Sequence, residues 1–141
     1  MARIWGVEKG EGGTSEERMT AYLDGLGGPQ QALPPRVIYV ACEGDALIGY
    51  IAGHLTRRFG CDGELQWISI RQEYRGRGVG AELLRRLAKW FASHDALWVC
   101  VDVEPANAVA KRFYARHGAE DLKPHWMVWK DIRRAHGPPF S

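Results

Sequence analysis

The chain has 141 residues, of which 45% are hydrophobic and 26% are charged, and its formal net charge is +2. These values are ordinary for a globular protein of one domain. So small a net charge argues against a nucleic-acid-binding protein, which would need a much more basic chain with clustered charge.

The cysteines and histidines are few and scattered along the sequence. Cys42, Cys61 and Cys100 form no C-x-x-C pair, and the five histidines follow no metal-binding spacing. This pattern predicts free thiols in a reducing cytoplasm and no metal site. The first residues lack the apolar core of a signal peptide, and no apolar run approaches the roughly 18 residues of a membrane helix. We therefore expect a soluble cytoplasmic protein without a membrane or nucleic-acid partner.

The first part of the chain predicts a strand, a helix and a hairpin. Residues 2–7 favour a short strand, and residues 14–28 favour a helix with capping residues before it and glycines at its end. Residues 29–35 predict a loop. Two β-rich runs then flank Gly44, which is typical of a hairpin turn. Because both runs are apolar on both faces, we expect this sheet to be covered on both sides.

The second part of the chain alternates strands with helices. The predicted elements are a strand over 64–70, a helix from Gly80, a buried strand over 96–105, a helix over 107–118 and one or two closing strands over 119–132. This order implies a parallel pair of strands in the middle of the sheet. We expect residues 1–132 to form a single domain and residues 133–141 to form a loose tail.

The loop RGRGVG, residues 75–80, lies between a predicted strand and the start of a helix. Backbone N–H groups at such a position bind anions, and the helix dipole favours negative charge there. Arg75 and Arg77 add positive charge that suits phosphate oxygens. Three glycines at alternate positions lose much conformational entropy on folding, so we interpret the loop as a site for a phosphate-bearing ligand rather than a solvated turn.

Two classes of phosphate ligand compete for this loop. Residues 76–81, GRGVGA, match the dinucleotide fingerprint G-x-G-x-x-[GA], and Asp102 falls where a ribose-binding acid belongs. Three observations argue against a dinucleotide site. Four residues separate the loop from its strand, a hairpin precedes that strand, and the chain is short for the two mononucleotide-binding halves of such a fold. No Lys-Ser/Thr pair follows the glycines, so the loop is not a nucleotide P-loop.

Residues 68–84, ISIRQEYRGRGVGAELL, resemble the acyl-CoA-binding motif of the GNAT acetyltransferase superfamily. In that motif a strand and a short connector precede [QR]-x-x-G-x-[GA] and a helix, and here Arg75, Gly78 and Gly80 occupy the three positions. A second landmark follows in register, namely a strand ending at Pro105 and a helix that starts at Asn107. The resemblance covers residues 37–132.

Later residues extend this resemblance and also mark its departures. The second helix carries Phe113-Tyr114 and then His117-Gly118, as in the superfamily. The segment before the hairpin has one convincing helix where the superfamily usually has two, and Ala119 stands where an aromatic residue often follows the late glycine. The first departure concerns the region that usually helps to build the acceptor pocket.

The resemblance implies a fold and a cofactor. The implied α/β fold is a mixed, mostly antiparallel central sheet with helices on both faces, split where two central parallel strands splay. The implied cofactor is acetyl-CoA, whose acetyl group passes directly to an amine. The residues implied to bind acetyl-CoA are Ile68, Ser69 and Ile70 along the pantetheine arm, Arg75, Gly76, Arg77, Gly78, Val79 and Gly80 at the pyrophosphate, and Asn107, which also suits a helix cap.

The resemblance also implies catalytic roles. Tyr114 corresponds to the usual general acid, because a phenol with a pKa of about 10 can protonate a departing thiolate. Glu64 corresponds to a general base in part of the superfamily, and Asp102 and Glu104 are alternative bases. Cys100 lies in an apolar strand and is expected to be an inert thiol. The tryptophans of the late strands, Trp67, Trp126 and Trp129, fit a core better than an acceptor pocket.

The expected function is therefore an N-acetyltransferase whose acceptor is a small-molecule amine, a peptide lysine or a peptide N-terminus. Homodimers are common in families of this kind. One alternative is a non-catalytic sensor that binds acyl-CoA without turnover. The other is a dinucleotide-binding oxidoreductase, which would respond to NAD(H) rather than to acetyl-CoA.

Overall fold

The computed structural model describes residues 3–7 and 33–135. Its elements are β1 (Arg3–Val7), β2 (Leu33–Glu43), β3 (Ala46–Leu55), β4 (Gly63–Ile70), α1 (Val79–Ser93), β5 (Val99–Asp102), α2 (Ala108–Arg116), β6 (Glu120–Lys123) and β7 (Trp126–Trp129). The helix predicted over residues 14–28 lies outside the described residues. Neither of the two helices in the described ranges is long and apolar enough to cross a membrane.

The seven strands form one sheet in the order β1-β2-β3-β4-β5-β7-β6. All neighbouring strands are antiparallel except β4 and β5, which are parallel. A parallel pair needs a crossover connection, and α1 supplies it. The structure thus confirms the predicted mixed, mostly antiparallel sheet with a parallel pair at its centre.

The β2–β3 hairpin confirms the turn at Gly44, whose φ of +60° lies in the left-handed region that glycine tolerates. The loop predicted over residues 29–35 is wrong for its last three residues, because β2 already begins at Leu33. The pairing is irregular between Leu33 and Arg36. Proline lacks the N–H that a regular ladder needs, so the two prolines between them explain the irregular start.

Helix α1 packs its apolar stripe onto the sheet. Leu83, Leu84, Leu87 and Phe91 are fully buried, and each contributes about 1.5–3 kcal/mol when buried. Glycine in the strands makes this close approach feasible, since a Cβ atom at Gly63 would lie 2.4 Å from the Phe91 ring. The first core cluster, which contains these side chains, also includes residues of α2.

Two smaller clusters bury other parts of the sheet. Ile38, Val40 and Ala52 form the second cluster, against which Trp67 packs. The third contains Cys61, Cys100 and Val128. Neighbours of Ile38 and Cys100 along their strands belong to the first cluster. Strands β2 and β5 therefore bury side chains on both faces, as their continuous apolar runs indicate.

The strand predicted to end at Pro105 is shorter in the structure, because β5 ends at Asp102. The Asn107 N–H donates to the Glu104 carbonyl at 2.8 Å, which turns the chain toward α2. After β7, a 3-10 turn spans Ile132–Arg134, and Ile132 is fully buried against the first cluster. The division into a domain of residues 1–132 and a loose tail of residues 133–141 stays a prediction.

Candidate functional site

The sheet forks between its two parallel strands. Residues 63–65 of β4 pair with residues 99–101 of β5, and β5 ends one residue later, whereas β4 continues to Ile70. Within the described ranges, the edge of β4 that faces away from β3 therefore has no neighbouring strand over residues 66–70. An open strand edge presents backbone N–H and C=O groups to an extended ligand.

A bulge lies at the point where the fork opens. Leu65 pairs with Gly53 and Trp67 pairs with Ala52, so Gln66 is an extra residue in β4. A bulge bends its strand and increases the local twist. The last residues of β4, including Ile68, Ser69 and Ile70, thus follow a new direction just where β4 leaves β5.

The glycine–arginine loop follows the open edge. After a 3-10 turn over Gln72–Tyr74, Gly76 and Gly78 have φ values of +78° and +83°. A Cβ atom at either glycine would meet nothing within 4 Å, so the backbone conformation rather than crowding requires glycine there. Gly78 directly precedes α1, whose first N–H groups have no partner in the helix ladder.

The side chains of this loop add positive charge beside those N–H groups. Arg75 is exposed, and its Nε donates to the Ile70 carbonyl oxygen at 3.1 Å. The guanidinium of the exposed Arg77 lies 5.2 Å from the centre of the Tyr74 ring. Together the loop backbone and two arginines form a surface suited to a phosphate group.

The third glycine joins the loop to α2. A Cβ atom at Gly80 would lie 3.5 Å from the Phe113 ring, so the first turn of α1 passes close to that ring. At the start of α2, Asn107 Oδ1 accepts a hydrogen bond from the Ala110 N–H at 3.0 Å. This confirms the helix-capping role of Asn107, and its contact with a cofactor stays a prediction.

Tyr114 is buried on α2, with only 5% of its surface exposed. Its ring makes edge contacts with Phe113 and Trp129. Burial, and after it the negative charge of Asp102, raise the pKa of the Tyr114 phenol to about 12. The structure therefore brings Tyr114 near the end of β5 and keeps its hydroxyl protonated at neutral pH.

Glu64 is also buried, with 4% of its surface exposed. Arg58 Nε donates to Glu64 Oε1 at 3.0 Å, and His54 Nε2 lies 3.6 Å from the same oxygen. The antiparallel register of β3 and β4 places His54 opposite Glu64, a cross-strand pairing that sequence reasoning missed. The approach of Arg58 was also missed, because it depends on a turn in which Phe59 has a φ of +56°.

The other candidate groups have simpler surroundings. Asp102 and Glu104 are exposed, and Glu104 lies 3.9 Å from His125. Cys100 and Cys61 are buried, and burial raises the pKa of each thiol, which agrees with the expectation that Cys100 is inert. In the part of the chain that the structure describes, no three His, Cys, Asp or Glu side chains lie together as metal ligands.

A cavity of about 400 Å³ lies between α2, the segment after β5 and the β6–β7 hairpin. It borders four side chains that we call the aromatic–cationic wall, namely Arg58, Phe59, Lys123 and Trp126. The two aromatic rings lie 5.0 Å apart, centre to centre. Each cationic group lies 4.6–5.9 Å from the centre of at least one of these rings. Trp126 lines the cavity, whereas Trp129 fills the core as expected.

Comparisons with known proteins agree with this geometry. The family model described as "Acetyltransferase (GNAT) family" matches residues 8–119. An uncharacterized N-acetyltransferase of Methanocaldococcus jannaschii is 31% identical over 90 residues, which are 63% of this chain and 56% of that protein. The chain thus spans about half the length of this curated relative.

Solved structures share the fold at low sequence identity. Ard1 from Thermoplasma volcanium has a TM-score of 0.60 at 19% identity, and the match covers 67% of this chain and 69% of that one. The PaiA N-acetyltransferase from Thermoplasma acidophilum, solved in complex with coenzyme A, has a TM-score of 0.62 at 22% identity. That match covers 83% of this chain and 71% of the other. Likeness at these identities shows a common fold.

Proposed function

Because the chain belongs to the acetyltransferase (GNAT) family, we propose that it transfers an acetyl group from acetyl-CoA directly to the amine of a small molecule or peptide. The observation that carries this proposal is the fork between β4 and β5, which the glycine–arginine loop follows, together with a buried tyrosine near the end of β5. The coenzyme A bound to the related PaiA enzyme supports the choice of cofactor.

The proposed cofactor site uses backbone groups along β4 and around the loop. The open edge at Ile68, Ser69 and Ile70 pairs with the amide groups of the pantetheine arm, as an added strand would. The N–H groups from Arg75 to Gly80 bind the pyrophosphate, and the two arginines of the loop balance its charge. Asn107 contacts the pantetheine or a bound water while it caps α2.

The proposed chemistry moves three protons and one acetyl group. An alkyl amine with a pKa near 10.4 is mostly protonated at neutral pH, so Glu64 removes a proton, directly or through water. The amine nitrogen then attacks the thioester carbonyl, and a backbone N–H of residues 68–70 stabilises the oxyanion. The C–S bond breaks, Tyr114 donates its proton to the departing thiolate, and the proton that the acetylated nitrogen then loses restores the phenol, directly or through water.

The surroundings of the two acids favour Glu64 over Asp102 as the base. Glu64 lies in β4 where residues 63–65 still pair with β5, directly below the opening of the fork. Asp102 instead acts on Tyr114, because its negative charge opposes ionisation of the phenol. In the proposal, Asp102 therefore keeps the general acid protonated, and Glu64 receives the proton of the amine.

A thiol-release assay with acetyl-CoA tests the proposal across polyamines, aminoglycosides, amino acids and lysine peptides. We expect at least one acceptor to release CoA thiol, and we expect Tyr114→Phe to lower kcat for it about 100-fold. Binding of acetyl-CoA, measured by calorimetry, should stay within about twofold, because a missing proton donor affects the chemical step. Tyr39→Phe, which removes a hydroxyl from β2, is the matched control. Failure to bind acetyl-CoA and to release thiol would overturn the proposal.

A further inference from the structure

The cavity beside the β6–β7 hairpin has the size of a small-molecule site. Ligand sites of this kind measure about 300–1,000 Å³, and this one measures about 400 Å³. Lys111 lines it from α2, and Tyr114 lies three residues later on the same face of that helix. Tyr114, which is not one of the lining residues, therefore lies within one helical turn of a residue that lines the cavity.

The charged groups of the cavity favour an anion. The lining contains two lysines, Lys111 and Lys123, and one acidic residue, Asp121. Among the described residues, no carboxylate lies within ion-pair distance of either lysine, whereas the nearby Lys130 pairs with Glu120 at 3.8 Å. Apolar side chains, including Val103 and Met127, form much of the remaining lining. An anionic group attached to an apolar one matches this combination.

The aromatic–cationic wall connects the cavity to the proposed base. Trp126 and Lys123 belong to both the wall and the cavity lining. The Arg58 guanidinium lies 4.9 Å from the Trp126 ring, and the same side chain donates to Glu64. One continuous set of contacts thus runs from the cavity to Glu64, while Tyr114 approaches from α2.

Phe59 is an unusual member of this wall. Its φ of +56° is strained for a bulky side chain, yet 41% of its surface is exposed. Lys123 Nζ lies 4.6 Å from the centre of its ring, and the ring meets Trp126 edge-on. Strained backbone of this kind concentrates at ligand-binding sites, and an exposed aromatic face supplies an apolar contact there.

We propose that this cavity binds the carboxylate end of the acceptor, so that the preferred acceptors are free amino acids and other small amino carboxylates. This inference rests on the proposed acetyl transfer and names its substrate class. Lys123 and Lys111 bind the carboxylate, and the apolar lining with Trp126 receives the carbon side chain. The amine then points toward the fork, between Glu64 and Tyr114.

Matched acceptors that differ only in the carboxylate test this assignment. We expect kcat/KM in the thiol-release assay to be about tenfold higher for leucine and phenylalanine than for leucinamide and phenylalaninamide. An amino amide has the less basic amine and so more free base at neutral pH. A preference for the acids therefore reports recognition of the carboxylate rather than amine reactivity.

Variants of Lys123 locate that recognition in the cavity. Lys123→Met keeps an apolar side chain of similar length and removes the charged group that lies 4.6 Å from the Phe59 ring. KM for the two amino acids should then rise about tenfold, while the amides change less than twofold. Lys123→Arg should retain the preference. Lys130→Met, which removes a lysine outside the cavity lining, is the control and should behave as the wild type.

The outcomes separate the two proposals. Equal or better use of the amides, or a Lys123→Met effect that is the same for both series, overturns the carboxylate assignment. Acetylation confined to amines without a carboxylate overturns it too, and leaves the proposed transfer standing. Absence of thiol release with every amine in the panel overturns the transfer reaction itself and the acceptor class with it.

Discussion

The hydroxyl group of Tyr114 lies in surroundings that oppose its ionisation. Its pKa is raised to about 12 by burial and by the charge of Asp102, whereas the phenol of an exposed tyrosine has a pKa of about 10. Between these two pH values the unfolded chain has lost the phenolic proton and the folded chain still holds it. The contribution to stability is therefore complete below about pH 10 and is lost as the pH rises toward 12.

Tyr114→Phe should remove this dependence on pH. Between about pH 9.5 and 12, the free energy of unfolding of the wild type should fall by about 2 kcal/mol more than that of the variant. The buried thiols titrate equally in both proteins and cancel in the difference. Urea denaturation of both proteins at several pH values measures this difference. Parallel curves for wild type and Tyr114→Phe would contradict the assigned shift.

The two acidic residues near the fork should respond differently to loss of charge. We expect Glu64→Gln to lower kcat about 100-fold, because the variant cannot accept the proton of the amine. Asp102→Asn should lower kcat less than about threefold, since it changes only the charge beside Tyr114. Steady-state rates across pH 6–9, with circular dichroism to verify folding, give the comparison. The reverse order of effects would make Asp102 the base.

The sequence predicted some residues of the candidate site and missed others. The resemblance to the superfamily selected Tyr114 and Glu64, and their roles stay proposals that the buried positions support. Arg58 was not predicted, although its Nε lies 3.0 Å from Glu64 Oε1. A contact across a loop depends on the exact course of the turn, which here includes a left-handed Phe59, and no local pattern encodes that conformation.

At the scale of elements, the glycine loop depends on backbone conformation. Gly76 and Gly78 both have φ values near +80°, and both have open space where a side chain would begin. The open space allows a ligand to approach the backbone, and the positive φ directs successive N–H groups to form a concave anion site. A substitution in the loop should therefore affect ligand binding separately from stability.

Gly78→Ala and Gly44→Ala form a matched pair that separates these effects. Both glycines have positive φ and no atom within 4 Å of an added Cβ, so each variant should lose about 1 kcal/mol of stability. Only Gly78→Ala should also weaken acetyl-CoA binding, by about tenfold, because Gly44 lies in the β2–β3 turn and supplies no N–H group to the loop. Calorimetry measures the Kd for acetyl-CoA, and urea denaturation measures the free energy of unfolding. Equal affinity in both variants would remove the loop from the cofactor site.

Element type was more predictable than element boundaries. The leucine-rich stripe of α1 and the Asn107 cap of α2 follow from local patterns, and the structure confirms both. The start of β2 at Leu33 and the end of β5 at Asp102 differ from the predictions. Pairing with neighbouring strands decides where a strand stops, and the same holds for the bulge at Gln66, so these features depend on contacts far along the chain.

At the scale of the molecule, the residues of the candidate site come from distant parts of the chain. β5 lies in the sheet parallel to β4, and β7 lies on the other side of β5. This topology brings together the open edge of β4, the glycine loop, α2 and the β6–β7 hairpin. Element order predicted that parallel pair. The cavity and the aromatic–cationic wall were not predicted, because they depend on the register of several strands and on side chains from four segments.

Ligand stabilisation of the whole fold distinguishes the remaining functional classes. A ligand that binds only the folded chain adds about 2.7 kcal/mol at 100 times its Kd, which corresponds to a rise in Tm of about 8 °C for a domain of this size. We expect this shift with acetyl-CoA and less than 1 °C with NAD⁺ at the same concentration, measured by scanning calorimetry. A shift with NAD⁺ alone would favour the oxidoreductase. Stabilisation by acetyl-CoA without thiol release from any amine would identify a sensor. Binding uses the loop and the edge of β4, whereas turnover also needs a proton acceptor and a proton donor beside the fork.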